Sequence, residues 1–130
     1  MLRILVVEDE SILGDSIVTI LKHGFEASVD LARDGSEAMA LAEAQWYDLV
    51  VLDWWIPPPT GIELLTLWRS GKHVGRVLML TGALTGPERE VAMAAGADDF
   101  LEKPFSLEAL RDRVAALLAS AEPPDTSGSI

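Results

Sequence analysis

Three short, nearly unbroken apolar segments constrain the fold of this chain more than any other feature. They run from Ile4 to Val7, from Leu49 to Leu52 and from Val77 to Leu80. Continuous aliphatic runs of this length are typical of parallel strands that are covered on both faces. The sequence therefore predicts a buried parallel sheet at the centre of the molecule.

Segments with helical spacing separate these runs. The segment from Glu10 to Gly24 places apolar residues three and four positions apart, and so does the segment from Ser106 to Ser120, where Ser106 is a predicted N-cap. Weaker patterns indicate helices at 36–44, 62–69 and 87–95 and strands at 27–31 and 99–101. Strands and helices thus alternate, which predicts right-handed crossovers and a doubly wound α/β fold.

Composition limits the classes of protein to which the chain can belong. Its 10 basic and 21 acidic residues give a net charge of −11, which argues against a nucleic-acid-binding surface. There is no cysteine, so disulfides and cysteine-ligated metals are excluded. No apolar run reaches membrane-spanning length, and the N-terminus becomes acidic too early for a signal peptide. We expect a soluble cytoplasmic protein that contacts neither nucleic acid nor membrane.

The length of the chain, 130 residues, suits one domain, which we place at residues 1–121. Residues 122–130 are rich in Pro, Ser and Gly, and we interpret them as a linker stub or a disordered tail. The domain is expected either to stand alone or to have been excised from a longer protein.

Polar side chains follow the predicted strands at one edge of the sheet, where ligands bind in folds of this type. They are Glu8 and Asp9 after the first strand, Asp53 after the third, Thr81 after the fourth and Lys103 after the fifth. Three neighbouring carboxylates repel one another and require a cation, and a set of oxygen ligands without His or Cys favours Mg²⁺ over Ca²⁺. A carboxylate in such a site can attack phosphorus to form an aspartyl phosphate. Asp53 is placed for this attack, Lys103 for charge neutralisation and Thr81 for a hydrogen bond to the phosphoryl group.

Four segments, "ILVVEDE", "YDLVVLDWWIP…TG", "VLMLTG" and "AGADDFLEKPF", resemble the receiver domain of a two-component response regulator over residues 2–120. The resemblance implies a flavodoxin-like (βα)5 fold with strand order 2-1-3-4-5. It implies phosphoryl transfer to Asp53 from a histidine kinase or a histidine phosphotransfer protein. It also implies Mg²⁺, for which Mn²⁺ can substitute, held by Asp9 and Asp53 directly, by Glu8 through water and by the backbone carbonyl of Trp55. Such a domain catalyses its own phosphorylation and slow dephosphorylation without turning over as a conventional enzyme.

The resemblance also implies a conformational switch. Phosphorylation draws the Thr81 hydroxyl toward the phosphate, Phe100 rotates inward, and the surface of the fourth helix, fifth strand and fifth helix changes. Plain core packing is the alternative role for Phe100. Asp98, Asp99 and Arg113 resemble part of the charged face through which some receivers form homodimers, but a solvated charged face explains them equally well.

The chain departs from the family pattern after Asp53. Three consecutive prolines, Pro57–Pro59, replace a single proline and should stiffen the loop. Trp55 is unusually large for its position, which together with Ala83 borders the path of hydrolytic water in the family. We hypothesise that Trp55 covers the acyl phosphate and lengthens its lifetime. Trp54 is expected to pack in the interior, Trp68 to be half-buried, and Lys103–Pro104 to be a cis peptide.

Other functions fit the residues less well. A pseudo-receiver that binds partners without being phosphorylated shares the whole fold, and only the stiff loop and Trp55 favour it. A flavodoxin-like cofactor carrier needs a Ser/Thr/Gly-rich loop after the first strand, where this chain has "VEDES". A dehalogenase-like phosphatase uses Asp-x-Asp after its first strand, and a P-loop NTPase needs a Gly-x-x-x-x-Gly-Lys motif that is missing.

Overall fold

The computed structural model of the chain describes residues 1–71, 73–82 and 86–120. Strands and helices alternate along the whole described chain, in the order β1 (Leu2–Val7), α1 (Ser11–Gly24), β2 (Ala27–Ala32), α2 (Gly35–Ala44), β3 (Leu49–Asp53), α3 (Gly61–Gly71), β4 (Arg76–Thr81), α4 (Gly86–Ala95), β5 (Asp99–Glu102) and α5 (Leu107–Ser120). Each strand and helix predicted from the sequence is present. Ser106 caps α5 as predicted, since its hydroxyl accepts a hydrogen bond from the Ala109 amide at 3.0 Å.

The five strands form one parallel sheet in the order β2-β1-β3-β4-β5. This is the flavodoxin-like strand order that the resemblance to receiver domains implied. The order reverses between β1 and β3, which are neighbours although β2 lies between them in sequence. A crevice therefore opens beyond the carboxyl ends of β1 and β3, where the chain leaves the sheet in opposite directions.

Successive side chains of the sheet enter two separate cores, because residues of a strand point alternately to its two faces. On one face Leu5, Val50 and Val77 pack with residues of α2, α3 and α4. On the other face Ile4 and Val51 pack with residues of α1 and α5. The central strands bury both of their faces, which explains why they read as unbroken apolar runs rather than alternating ones.

Trp68 of α3 belongs to the first of these cores and is 1% exposed. The expectation of a half-buried side chain was wrong because α3 turns this residue toward the sheet. None of the helices among the described residues combines the length and the apolar character that crossing a membrane requires.

Helix α4 is the least anchored of the helices. All ten of its residues are described, and Ala92 is the buried one among them. Val91 and Met93 are 49% and 60% exposed. Because the burial of a single methyl group contributes on the order of 1 kcal/mol, few apolar contacts hold α4 against the sheet.

The C-terminal end of α4 is nevertheless fixed by an ionic cluster around Asp98. Arg69 donates to the carbonyl of Gly96 at 2.9 Å and to Asp98 at 2.8 Å. Asp98 also accepts from Arg76 and from the Val77 amide, at 3.3 and 2.7 Å. Gly96 has a φ of +106°, a conformation that favours glycine, and its missing side chain leaves room for Arg69.

Candidate functional site

The register of the sheet brings the predicted polar residues to one edge. Asp53 is the last residue of β3 and lies opposite Leu80, while Thr81 ends β4 opposite Glu102. Glu8 and Asp9 follow the last residue of β1, and Lys103 follows the last residue of β5. Because parallel strands end at the same edge, residues as far apart in sequence as Glu8 and Lys103 come into contact there.

Lys103 links two buried carboxylates. Its ammonium group donates to Glu8 Oε1 at 3.1 Å and to Asp53 Oδ2 at 3.0 Å. The side chains of Glu8 and Asp53 are 1% and 7% exposed, whereas that of Lys103 is 28% exposed. Burial alone would lower the pKa of Lys103, but the hydrogen bonds to Asp53 and Glu8 outweigh it and raise the pKa. The lysine therefore stays charged and is held over Asp53.

Glu8 lies in the most unfavourable position for a charge. Burial, followed by the negative charge of Asp53, raises its pKa from 4.5 to about 7. Hydrogen bonds from the Glu10 amide, at 3.2 Å, and from Lys103 offset only part of this effect. The ionised form of Glu8 is therefore unfavourable in the metal-free protein.

Glu8, Asp9 and Asp53 can place one carboxylate oxygen each within 4.8 Å of the others. Asp9 is exposed, so the group is open to solvent on one side. Oxygen ligands in an open site with few protein donors suit Mg²⁺, which keeps several of its own waters. A divalent cation would also favour the ionised form of Glu8, whose pKa is raised by burial and by the charge of Asp53. The donor set therefore fits the predicted metal.

These residues line an open cleft of about 510 Å³, the acidic cleft, formed by Glu8, Asp9, Glu10, Asp53, Trp55, Gly82 and Lys103. Trp55 lies at its rim with 68% of its surface exposed. Trp54 is 8% exposed and packs in the core, as predicted. The two indole rings stack with centroids 6.1 Å apart.

The backbone around Asp53 is held by hydrogen bonds. The amide of Trp54 donates to the Leu80 carbonyl at 2.9 Å, and the amide of Trp55 donates to Asp53 Oδ1 at 3.3 Å. The Lys103–Pro104 bond is cis, as predicted, and Pro58–Pro59 is a second cis bond, which was not predicted.

Comparison with known proteins identifies the family. The family model for the response regulator receiver domain matches residues 4–115. The chain belongs to this family. Receivers of the family serve two-component signalling and generally bind Mg²⁺, in keeping with the acidic cleft.

Relatives and solved structures agree with this assignment. The transcriptional regulatory protein QseB of Haemophilus influenzae is 40% identical over 118 residues, which cover 90% of this chain and 52% of QseB. The transcriptional regulatory protein PhoP of Bacillus subtilis is 40% identical over 123 residues, 92% of this chain and 50% of PhoP. The chain thus spans about half the length of the curated relatives it matches. The structure of the non-phosphorylated HemR receiver domain from Leptospira biflexa superposes with a TM-score of 0.86 at 31% identity, covering 95% of this chain and 98% of that one.

The two residues predicted to form the switch, Thr81 and Phe100, are both buried. Thr81 is 1% exposed at the end of β4. Phe100 of β5 is 7% exposed, and the guanidinium of Arg89 on α4 lies 5.2 Å from the centre of its ring. This contact between α4 and β5 was missed, because nothing in the sequence pairs Arg89 with an aromatic residue eleven positions away. The rotation of Phe100 stays a prediction, and Ala83 and the tail at 122–130 lie outside the described residues.

The charged residues of the expected dimer face are engaged within the chain. Arg113 donates to Asp99 at 3.1 Å and to the Phe100 carbonyl at 2.7 Å. Asp98 belongs to the ionic cluster with Arg69 and Arg76. Asp98 therefore has a structural role that was not predicted from the sequence, while the homodimer stays a prediction.

Proposed function

We propose that this receiver accepts a phosphoryl group on Asp53, in a Mg²⁺-dependent reaction, from the phosphohistidine of a histidine kinase or histidine phosphotransfer protein. The observation that carries the proposal is the position of Asp53, which is 5% exposed and lines the acidic cleft. A phosphoryl donor could not reach a carboxylate this deeply buried if no cleft opened above it. The proposal includes a cytoplasmic location, and it takes residues 1–121 as the receiver and 122–130 as a linker.

The arrangement of Asp53 suits a nucleophile. One of its oxygens faces Lys103 and the other faces the Trp55 amide, so the carboxylate has a fixed orientation toward the cleft. In the proposed step an Asp53 oxygen attacks phosphorus, the new O–P bond forms and the P–N bond to the histidine ring breaks. Because the carboxylate is already held in one orientation, it does not have to change rotamer before the attack, and this raises the rate of phosphoryl transfer.

The ammonium group of Lys103 balances charge in this step. It lies 3.0 Å from Asp53 Oδ2 and stays protonated, because its pKa is raised. We propose that it neutralises a phosphoryl oxygen as the transferring group reaches Asp53. Thr81, buried on the neighbouring strand, is proposed to donate its hydroxyl to another phosphoryl oxygen.

We propose that Asp9 and Asp53 hold Mg²⁺ directly, with Glu8 through a water molecule and with the backbone carbonyl of Trp55. When bound, the ion would supply positive charge that offsets the negative charge of these carboxylates and of the phosphoryl group. The close approach of the three carboxylates supports this assignment, since they repel one another without a cation.

The output is proposed to be a change in the surface formed by α4, β5 and α5. Thr81 moves toward the phosphoryl group, and Phe100 moves into the space that it leaves. The weak anchoring of α4 by Ala92 supports this proposal, because shifting the helix exposes little apolar surface. The Arg89 contact with Phe100 links the aromatic residue to α4.

The phosphorylation test uses acetyl phosphate and Mg²⁺, with intact mass as the readout. Wild-type protein should gain the mass of one phosphoryl group, and an Asp53→Ala variant should gain none. Asp112→Ala serves as the matched control, because Asp112 is an exposed carboxylate on α5 whose side chain is 74% exposed. Magnesium beryllofluoride should also change the tryptophan emission through Trp55 at the rim of the cleft. If the wild type gains no mass while its fold is intact, the chain acts as an interaction module without phosphorylation.

A further inference from the structure

The loop between Asp53 and α3 carries Trp55, and it is unusually poor in hydrogen-bond donors. Residues 57–59 are prolines, which have no backbone N–H. This part of the loop can therefore be held by hydrogen bonds only through its carbonyl oxygens.

The donor that holds it is Gly35. Its amide donates to the Pro57 carbonyl at 2.9 Å. Gly35 is the first residue of α2, and the first amides of a helix have no partner within the helix. The start of α2 thus supplies the donor that the proline run lacks.

The approach between α2 and the loop requires a glycine. A Cβ atom at Gly35 would overlap the carbonyl oxygen of Pro59 and would lie 2.6 Å from the Pro59 nitrogen. These are backbone atoms, so no side-chain rotation can relieve the overlap. On its other side the loop is fixed by Gly61, whose amide donates to the Trp54 carbonyl at 2.9 Å.

We propose that Gly35 is a positioning residue for the acidic cleft. Through Pro57 and Pro59 it sets where the loop places the backbone carbonyl and the indole of Trp55 relative to Asp53. The described residues that line the acidic cleft do not include any from α2, so Gly35 acts through the loop. The inference rests on the proposed function, in which the Trp55 carbonyl is a metal ligand.

The test is a Mg²⁺ titration of the Gly35→Ala variant, followed by tryptophan emission. We expect Mg²⁺ to bind on the order of 10-fold more weakly than to the wild type, the size of effect seen when groups that orient metal ligands are changed. The emission of the metal-free variant should also differ, because Trp55 moves relative to Trp54. Gly24→Ala is the matched control, since a Cβ there meets only Arg111 atoms, at 3.4 Å or more.

A merely structural role would lower the stability of Gly35→Ala and leave both the Mg²⁺ affinity and the emission of the folded protein unchanged. That result would overturn the inference. Pro59→Gly keeps the backbone atoms that Gly35 approaches but frees the φ angle at this position, so the loop is held less firmly and Mg²⁺ binding should weaken as well. If Gly35→Ala does not fold, an unchanged affinity in Pro59→Gly overturns the inference. A wild type that binds no Mg²⁺ would instead refute the proposed function, and the metal-free emission would then decide whether Gly35 positions Trp55.

Discussion

Replacing Glu8 with glutamine should stabilise the metal-free protein at alkaline pH and have little effect at acidic pH. Glu8 is fully buried, and its pKa rises from 4.5 to about 7 on folding, through burial and the charge of Asp53. The folded protein therefore binds the Glu8 proton more tightly than the unfolded chain does. A carboxyl group whose pKa is raised by folding contributes fully to stability at pH values below its pKa in the unfolded chain. This contribution is lost as the pH rises from about 4.5 to about 7.

The magnitude follows from the two pKa values. At about 1.4 kcal/mol for each pH unit, the interval from 4.5 to about 7 corresponds to roughly 3 kcal/mol of unfolding free energy. Glutamine keeps the shape of the side chain and an oxygen that can accept from Lys103, but it loses the ion pair. We therefore expect a net gain of about 2 kcal/mol at pH 8, after discounting about 1 kcal/mol for the weaker hydrogen bond.

The assay is urea denaturation of both proteins between pH 4 and pH 8 in the presence of a chelator. The difference in unfolding free energy between variant and wild type is the quantity to follow, because titrating groups that do not interact with Glu8 cancel in it. It should grow between pH 4.5 and 7 and then level off. Glu26→Gln is the control, since Glu26 is exposed and its difference should stay flat. Parallel curves for Glu8→Gln and the wild type would refute the reasoning.

Two further substitutions test other parts of the structure. Trp55→Asn should lose its phosphoryl group several-fold faster than the wild type, because no side chain at the rim of the cleft then covers the acyl phosphate. The loss is followed by intact mass after the phosphoryl donor is removed. Trp46→Asn is the control, since Trp46 is another exposed tryptophan and its replacement should leave the rate unchanged. An unchanged rate in Trp55→Asn removes the covering role. Asp98→Asn should lower the unfolding free energy by about 2 kcal/mol in urea, since Arg69 and Arg76 lose their shared carboxylate. A loss no larger than that of Asp112→Asn would show that the cluster contributes little.

The strands and the residues at their carboxyl ends could be predicted from sequence because their physics is local. An unbroken apolar run marks a strand that is buried on both faces, and the polar residue that ends it marks the ligand-binding edge. Asp53 and Lys103 could therefore be assigned to one site from the amino-acid sequence alone. Their contact needs only the rule that parallel strands end together.

Contacts between surface elements could not be predicted in this way. The cluster of Arg69 with Asp98 joins residues 29 positions apart, and their pairing depends on how α3 and α4 pack. The environment of Tyr47 could not be predicted either, although this residue is fully buried and its hydroxyl donates to Asp30 at 2.6 Å. Burial, followed by this hydrogen bond, raises its pKa to about 12. Such contacts depend on tertiary geometry, which hydrophobic periodicity does not report.

The two ends of α4 differ in a way that bears on signalling. At the end of α4 next to β5, Arg69 fixes the Gly96 carbonyl and Asp98. Along the helix itself Ala92 is the buried residue, and the start of α4 follows β4, which ends at Thr81 beside the acidic cleft. We expect a helix that is held at one end and weakly packed along its length to respond to a local change by rotating about the fixed end. A small movement at Thr81 would then be largest at the start of α4, and it would decrease toward Gly96.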